Sequence, residues 1–223
     1  MKKLLFLFFV GVTVFAQTPD PKKILNEVVA KFAKVKDYQV DAYVKLDIPF
    51  VKMPDRKLTI YYKQPNKTHL ESESFAMLPK RGLNFNPKEF ISDDYMPVYL
   101  KQDYVNGRKT DVINLIPKSD SAHVRFIKLW IDPAEKVIVK LETTGDRMGV
   151  ITSELSYGDQ IMYGLPAQMK IQMDFGTVRI PGEIQMGGKQ EPQKDSKGKV
   201  TVSYYNYKIN KGIEDKVFIE KKK

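Results

Sequence analysis

Residues 38–48, YQVDAYVKLDI, alternate apolar and polar side chains along almost their whole length. This period of two is typical of a β-strand with one buried and one solvated face. Tyr43 is the exception on the polar side. The positions expected to face a core are Tyr38, Val40, Ala42, Val44, Leu46 and Ile48. The stretch therefore predicts a sheet that is dry on one side, and such a face needs a cover.

The residues before this strand predict an amphipathic helix that can supply part of the cover. Asp20 suits an N-cap, and Pro21 suits the first helical position, where its missing N–H costs nothing. The apolar residues then follow at helical spacing, opposite a lysine-rich face. They are Ile24, Leu25, Val28, Val29, Phe32, Ala33 and Val35.

The rest of the sequence predicts many short strands joined by turns. The predicted strands are Leu58–Lys63, Lys67–Glu73, Val98–Tyr104, Asp111–Ile116, Val124–Ile131, Val137–Thr143, Val150–Tyr157, Ala167–Phe175 and Val200–Ile209. A short second helix is expected from Asn86 to about Tyr95, and a long flexible hairpin loop near residues 187–199. This order predicts a mainly β fold with helices (α+β), a meandering antiparallel sheet curved into a barrel or half-barrel. With no internal repeat, residues 17–223 are expected to form a single domain.

The first sixteen residues have the composition of a cleaved export signal. Lys2 and Lys3 precede the apolar run Leu4–Phe15, which ends at the small residue Ala16 and is too short to span a bilayer. Because the chain has no Cys, it has no acceptor for a lipid anchor on that residue and no disulfide. Cleavage would lower the formal charge from +10 to +8. We expect a soluble protein outside the cytoplasm with no nucleic-acid partner.

Motifs for catalysis or metal binding do not stand out. His69 and His123 are the only histidines and lie far apart in sequence, and no Gly-x-Ser-x-Gly motif is present. The adjacent Asp93 and Asp94 are the one acidic pair considered for a hydrolase, and such pairs are usually solvated. We therefore expect no enzyme, no cofactor and no metal, and hydrolysis by buried carboxylates stays an alternative.

One amphipathic helix and the apolar segment Phe75–Phe85 cannot cover the dry face of some ten strands. The remaining apolar side chains either pack into an ordinary core or line a cavity for an apolar ligand. The alternating stripe of Met169, Ile171, Met173 and Phe175 is compatible with both, although Met suits a surface that accepts ligands of variable shape.

Three segments give the chain a resemblance to a known family. They are Leu58–Asn66 (LTIYYKQPN), Asp111–Lys118 (DVINLIPK) and Val124–Leu141, in which Leu129–Pro133 forms a turn. Their order after a signal, a helix and a first strand is similar to that of the periplasmic lipoprotein carrier proteins (LolA-like). The wider lipoprotein localisation factor fold includes an outer-membrane lipoprotein receptor and a periplasmic stress sensor. The family's usual Asp-Gly stretch is not clear here, and its lid-fastening basic residue has no matching motif.

This resemblance implies an incomplete antiparallel barrel with a helical lid, which carries lipoprotein acyl chains or a related lipid in an apolar cavity. Such a periplasmic carrier, expected to be a monomer, would meet an inner-membrane release complex and an outer-membrane acceptor. A lipid- or peptide-sensing envelope module with the same fold is the alternative. The expected lid residues are Ile24, Leu25, Val28, Val29 and Phe32; the expected cavity wall is Val40, Val44, Leu46, Ile60, Phe126, Met169 and Met173; the expected rim is Phe75, Met77 and Leu78.

Overall fold

The computed structural model describes residues 18–48, 54–72, 83–89, 91–119, 124–145, 149–174 and 197–219. The predicted signal at 1–16, the rim residues Phe75, Met77 and Leu78, together with Phe175 and His123, lie outside the described residues. So does most of the predicted loop near 187–199, although its last residues belong to a strand that begins at Lys197. Within the described residues, no helix is long and apolar enough to cross a bilayer.

The described chain contains one α-helix and ten strands. Helix α1 spans Pro21–Phe32, and the Asp20 carboxylate accepts a hydrogen bond from the N–H of Lys22, as expected of an N-cap. The strands are β1 Asp37–Asp47, β2 Arg56–Lys63, β3 Lys67–Glu71, β4 Tyr95–Val105, β5 Arg108–Pro117, β6 Val124–Asp132, β7 Val137–Gly145, β8 Gly149–Ser156, β9 Gln168–Asp174 and β10 Lys197–Ile209.

All ten strands form one antiparallel sheet in the order β3-β2-β1-β10-β9-β8-β7-β6-β5-β4. The first strand therefore lies between the second and the last, paired with both. The sheet is not closed: in the described part of the chain β3 and β4 are its two edges. The predicted incomplete barrel with a helical lid is confirmed.

The connection from β3 to β4 must pass from one edge of the sheet to the other. Its described part lies on the concave face, where Leu83 and Phe85 are buried in the main apolar cluster. The hydroxyl of Tyr204 on β10 donates to the carbonyl oxygen of Leu83 at 2.7 Å, and the Asn84 amide donates to Thr68 of β3 at 3.3 Å. The described part of this connection and α1 therefore both pack on the concave face.

The predicted second helix was wrong. Pro87–Glu89 is a single 3-10 turn, and β4 already begins at Tyr95. The Asn86 side chain accepts a hydrogen bond from the N–H of Lys88 at 3.1 Å, which closes a local turn. Pairing of the following segment with β5 then favours a strand.

Candidate functional site

The lid and the wall predicted from the sequence meet in one apolar cluster on the concave face. Helix α1 lays its stripe on the sheet, and the strands contribute their inward-facing residues. The predicted residues that are buried there are Leu25, Val28, Phe32, Val40, Val44, Ile60 and Met169. Ile24, Leu46 and Met173 are partly exposed and pack against the same cluster.

Phe126 was placed on the wrong face. On β6 it shares its parity with Lys128 and Trp130, while Ile127 and Leu129 point into the concave cluster. A slip of one residue exchanges the faces of a strand, and the sequence of β6 has large side chains at both parities. Val29 is partly exposed and lies outside the cluster, beside the stripe formed by its neighbours on α1.

Tyrosine rings fill the concave face at the end where α1 joins β1. The ring of Tyr62 lies 5.5 Å from that of Phe32 and 5.2 Å from that of Tyr38, and Tyr38 meets Tyr207 edge-on at 5.8 Å. Burial raises the pKa of Tyr62 to about 12 and raises the pKa values of Tyr38 and Tyr207 well above their usual value. These rings therefore form a packed aromatic floor.

The opposite end of the concave face is more open. β1 starts beside α1, so Leu46 and Ile48 lie at the far end, and Leu46 is level with Val200 and Ile171 on β10 and β9. Met173 on β9 pairs with Ile151 on β8 and shares its face. We call the partly exposed set at this end the rim cluster: Leu46, Ile48, Ile151, Ile171 and Met173.

Three members of the rim cluster were missing from the predicted site. Ile171 has the parity of Met169 and Met173, and Ile48 continues the even-numbered series of β1, so alternation placed both on the inward face without assigning them to the cavity. Ile151 could be found only through its pairing with Met173, which the sequence does not show.

Two ion pairs fasten α1 to the turn between β6 and β7. The Lys31 ammonium donates to the carbonyl oxygen of Glu135 and lies 3.5 Å from that residue's carboxylate. In the reverse sense, the Lys136 ammonium lies 3.5 Å from the Glu27 carboxylate. We call these four residues the latch. Both contacts are partly exposed, so each stabilises the docked helix only modestly.

The turn that carries the latch is itself well ordered by Asp132. Its buried carboxylate accepts hydrogen bonds from the N–H groups of Ala134 and Glu135 at 2.9 and 3.0 Å, and it pairs with Arg108 at 3.1 Å. Lys136 has a φ of 54°, which completes the reversal. The latch thus joins α1 to a turn that is held by its own hydrogen bonds.

Lys31→Ala is expected to raise the frequency with which α1 leaves the sheet by about fivefold, since one partly buried contact of about 1 kcal/mol is lost. Because the chain has no Cys, Val28→Cys introduces a single thiol. This thiol lies on the buried face of α1, so its rate of alkylation reports how often α1 leaves the sheet. Lys23→Ala, which removes an exposed side chain of α1 outside the latch, is the matched control. Equal rates in both variants would contradict a role for the latch.

The acidic and histidine candidates from the sequence lie at opposite edges of the sheet in the described part of the structure. Asp93 and Asp94 are exposed in the turn before β4, and His69 lies beside Tyr61 with a ring separation of 6.0 Å. Asp111 is a buried carboxylate that accepts a hydrogen bond from the Tyr99 hydroxyl at 3.1 Å. Among the described residues no group of acidic, His or Cys side chains has the arrangement of a metal site.

Two open grooves lie on the convex face. One, of about 550 Å³, is lined by charged and hydroxyl side chains around Asp41, Arg56 and Glu71. The other, of about 260 Å³, lies between Tyr61 and the segment after β10. Neither is the predicted apolar cavity. On the concave face the described residues of the main cluster are at most 7% exposed, so a ligand there must displace part of the cover.

Comparison with solved structures agrees with this architecture. A DUF1329 family protein from Desulfovibrio piger is 12% identical, with a TM-score of 0.58 over 90% of this chain and 98% of that one. A LolA superfamily protein from Nitrosomonas europaea is 14% identical, with a TM-score of 0.53 over 90% and 97%. A domain from Vibrio parahaemolyticus described as an outer membrane lipoprotein-sorting protein is 14% identical, with a TM-score of 0.51 over 89% and 97%.

These likenesses establish the fold, which is LolA-like, along nearly the whole length of each chain. No protein-family model matches the sequence, and no curated protein matches it significantly. What the chain binds therefore has to be argued from its own side chains.

Proposed function

We propose that this protein is a periplasmic carrier that binds the acyl chains of a lipoprotein, or of a related lipid, on its concave face and delivers them to the outer membrane. The observation that carries the proposal is a lid of one short helix over a large apolar face. The helix covers that face with Leu25, Val28 and Phe32, and the rim cluster beyond it stays partly exposed.

The free energies of burial allow a ligand to lift the lid from the sheet and to lie between the two. Burying one of these side chains contributes roughly 1.5–3 kcal/mol, so the three together contribute roughly 5–9 kcal/mol. An acyl chain of about sixteen carbons gains about 0.8 kcal/mol for each methylene removed from water, or roughly 12 kcal/mol. One chain can thus offset the separation of α1 from the sheet, and the apolar face of α1 then lies on the bound hydrocarbon. The modest latch makes the exchange easier and allows release at an acceptor.

The setting of this carrier follows from the same proposal. Residues 1–16 would direct export and be removed, and the remaining chain, with no Cys to acylate, would move freely between the membranes. It would receive cargo from an inner-membrane release complex, pass it to an outer-membrane acceptor and catalyse no reaction. Two solved neighbours, described as a LolA superfamily protein and an outer membrane lipoprotein-sorting domain, support this choice of cargo.

Ile171→Asp is expected to weaken binding of a fluorescent fatty acid at least tenfold, because a carboxylate at the rim would lie against the hydrocarbon. Gln172→Asp places the same charge on the convex face of the same strand and is the matched control. Titration of the purified proteins measures both affinities. Equal affinities would mean that the ligand does not pass the rim cluster.

Native mass spectrometry of protein purified from the cell envelope tests the cargo itself. We expect co-purifying acylated species whose abundance falls in Ile171→Asp and not in Gln172→Asp. Recovery of one regulatory membrane protein without any lipid would instead favour the sensing module. A protein that neither carries nor accepts acyl chains would overturn the proposal.

A further inference from the structure

The joint between α1 and β1, residues 33–36, is held by two side-chain amides from distant parts of the chain. The Gln64 amide, from the turn between β2 and β3, donates to the carbonyl oxygens of Ala33 at 3.0 Å and Val35 at 2.7 Å. The Asn210 amide, from the end of β10, donates to the carbonyl oxygen of Lys34 at 2.9 Å. Three successive carbonyls at the end of the helix are therefore satisfied by side chains.

Asn210 also binds the other side of the joint. Its amide oxygen accepts a hydrogen bond from the N–H of Lys36 at 2.7 Å, so one side chain bridges the residues before and after Val35. Its backbone has a φ of 56°, the left-handed conformation that Asn tolerates better than most residues. The residue thus has both the backbone and the side chain that this position requires.

Asp37 fixes Asn210 in place. The backbone N–H of Asn210 donates to the carbonyl oxygen of Asp37 at 2.9 Å. The Asp37 carboxylate, 6% exposed as a residue, accepts hydrogen bonds from the N–H groups of Lys211 and Gly212 at 3.0 and 3.1 Å. The chain after β10 is therefore bound to the first residue of β1.

The same segment is secured further along by ion pairs. The Asp215 carboxylate lies 2.8 Å from the Lys63 ammonium and 3.1 Å from that of Lys67, and hydrogen bonds from both lower its pKa. The Lys63 ammonium also donates to the carbonyl oxygen of Ile213 at 2.8 Å. The segment that follows Asn210 is thus held in place, which fixes the position of the Asn210 amide at the joint.

We infer that Gln64 and Asn210 are positioning residues that make residues 33–36 the pivot on which α1 opens and closes over the concave face. This inference rests on the proposed function, in which α1 must move. While both amides are bound, the backbone of the joint keeps one conformation, which directs α1 back onto the sheet. Without them, its carbonyls bond to water in many orientations and docking loses its preorganisation.

The test compares Asn210→Gly with Asn206→Gly. Asn206 has a φ of 57°, but its amide donates at 3.1 Å to Asp41, away from the joint. Glycine accepts a positive φ at both positions, so the pair differs mainly in which amide is lost. Alkylation of Val28→Cys in the ligand-free protein is expected to become roughly tenfold faster in Asn210→Gly and to stay unchanged in Asn206→Gly.

A second thiol separates opening of the lid from unfolding of the sheet. Val139 is buried in a second apolar cluster, on the convex face, together with Val112, Trp130 and Val137. The alkylation rate of Val139→Cys should be the same in Asn210→Gly and in Asn206→Gly. If Asn210→Gly accelerates both thiols equally, or neither, the inference is wrong. Gln64→Glu replaces the amide donor with a carboxylate, which can only accept and would face the carbonyls of Ala33 and Val35. It should also accelerate alkylation of Val28→Cys, and it serves as the test of the pivot if Asn210→Gly folds poorly.

The two proposals can fail separately in this design. Thiol accessibility is measured without lipid, so an effect at the pivot persists even if no acyl chain ever binds. If the pivot and the carrier function both hold, the fluorescent fatty acid should dissociate several-fold faster from Asn210→Gly than from Asn206→Gly. A different outcome is that the original protein binds the fatty acid while Asn210→Gly and Asn206→Gly show the same alkylation rate and the same dissociation rate. That result would overturn the pivot and leave the carrier function standing.

Discussion

Val28→Asp is expected to abolish retention of an acyl chain while the sheet remains folded. Val28 is 4% exposed at the centre of the contact between α1 and the sheet. A carboxylate there, against the bound hydrocarbon, costs at least about 3 kcal/mol, which corresponds to roughly a hundredfold loss of affinity. The helix can undock without breaking any strand pairing, so the unfolding free energy should fall by less than this.

The single Trp of the chain provides the stability measurement. Trp130 lies in the convex cluster with Val112, Val137 and Val139, so its fluorescence reports the sheet and not the lid. Asn26→Asp introduces the same carboxylate on the exposed face of α1 and should leave both affinity and stability nearly unchanged. If Val28→Asp lowers both free energies equally, α1 is ordinary core packing and the lid model fails.

Alkaline unfolding between pH 10 and about 12 is the second large effect we expect. Burial raises the pKa values of several described tyrosines above the usual value near 10, five of them strongly, and for Tyr62 the pKa reaches about 12. The other four are Tyr38, Tyr157, Tyr204 and Tyr207. Below pH 10 the phenols are protonated in both states, so their full contribution to stability is present. Above pH 10 the unfolded chain loses protons first, and the unfolding free energy falls as the pH rises through 12.

Tyr62→Phe tests this account at one position. Its hydroxyl donates over a long 3.3 Å to the carbonyl oxygen of Pro65, so the loss at neutral pH should be small, and the alkaline midpoint should move upward. Tyr104→Phe removes a phenol that is 70% exposed and should leave the midpoint where it was. The buried tyrosines should ionise, by absorbance, in the same transition in which the fluorescence of Trp130 changes. Gradual ionisation of all tyrosines without unfolding would contradict the prediction.

The fold could be predicted from the sequence to a large extent because its signals are local. The alternation in β1 and the cap and stripe of α1 agree with the structure to within one or two residues. The structure differs from the prediction near β4. This strand begins at Tyr95, earlier than the predicted Val98, and the segment after Asn86 forms a short 3-10 turn where a helix was predicted. There a side-chain hydrogen bond and pairing with β5 outweighed a helix signal.

The candidate site could be predicted only in part because it depends on parity and on contacts between distant residues. Alternation identified Val40, Val44 and Met169, but it could not choose a face for Phe126 on a strand with large side chains at both parities. The latch joins residues 104 positions apart, and the amide of Asn210 reaches a carbonyl 176 positions away. No local pattern encodes such contacts.

The pairing of β1 with β10 has a consequence for the order in which the sheet folds. The middle of the sheet brings the two extremes of the chain together, so the β1–β10 seam cannot form until the last strand is available. Before that, β1 has an unpaired side whose backbone groups bond to water. Contacts so remote in sequence slow folding, which keeps a growing polypeptide unstructured for longer.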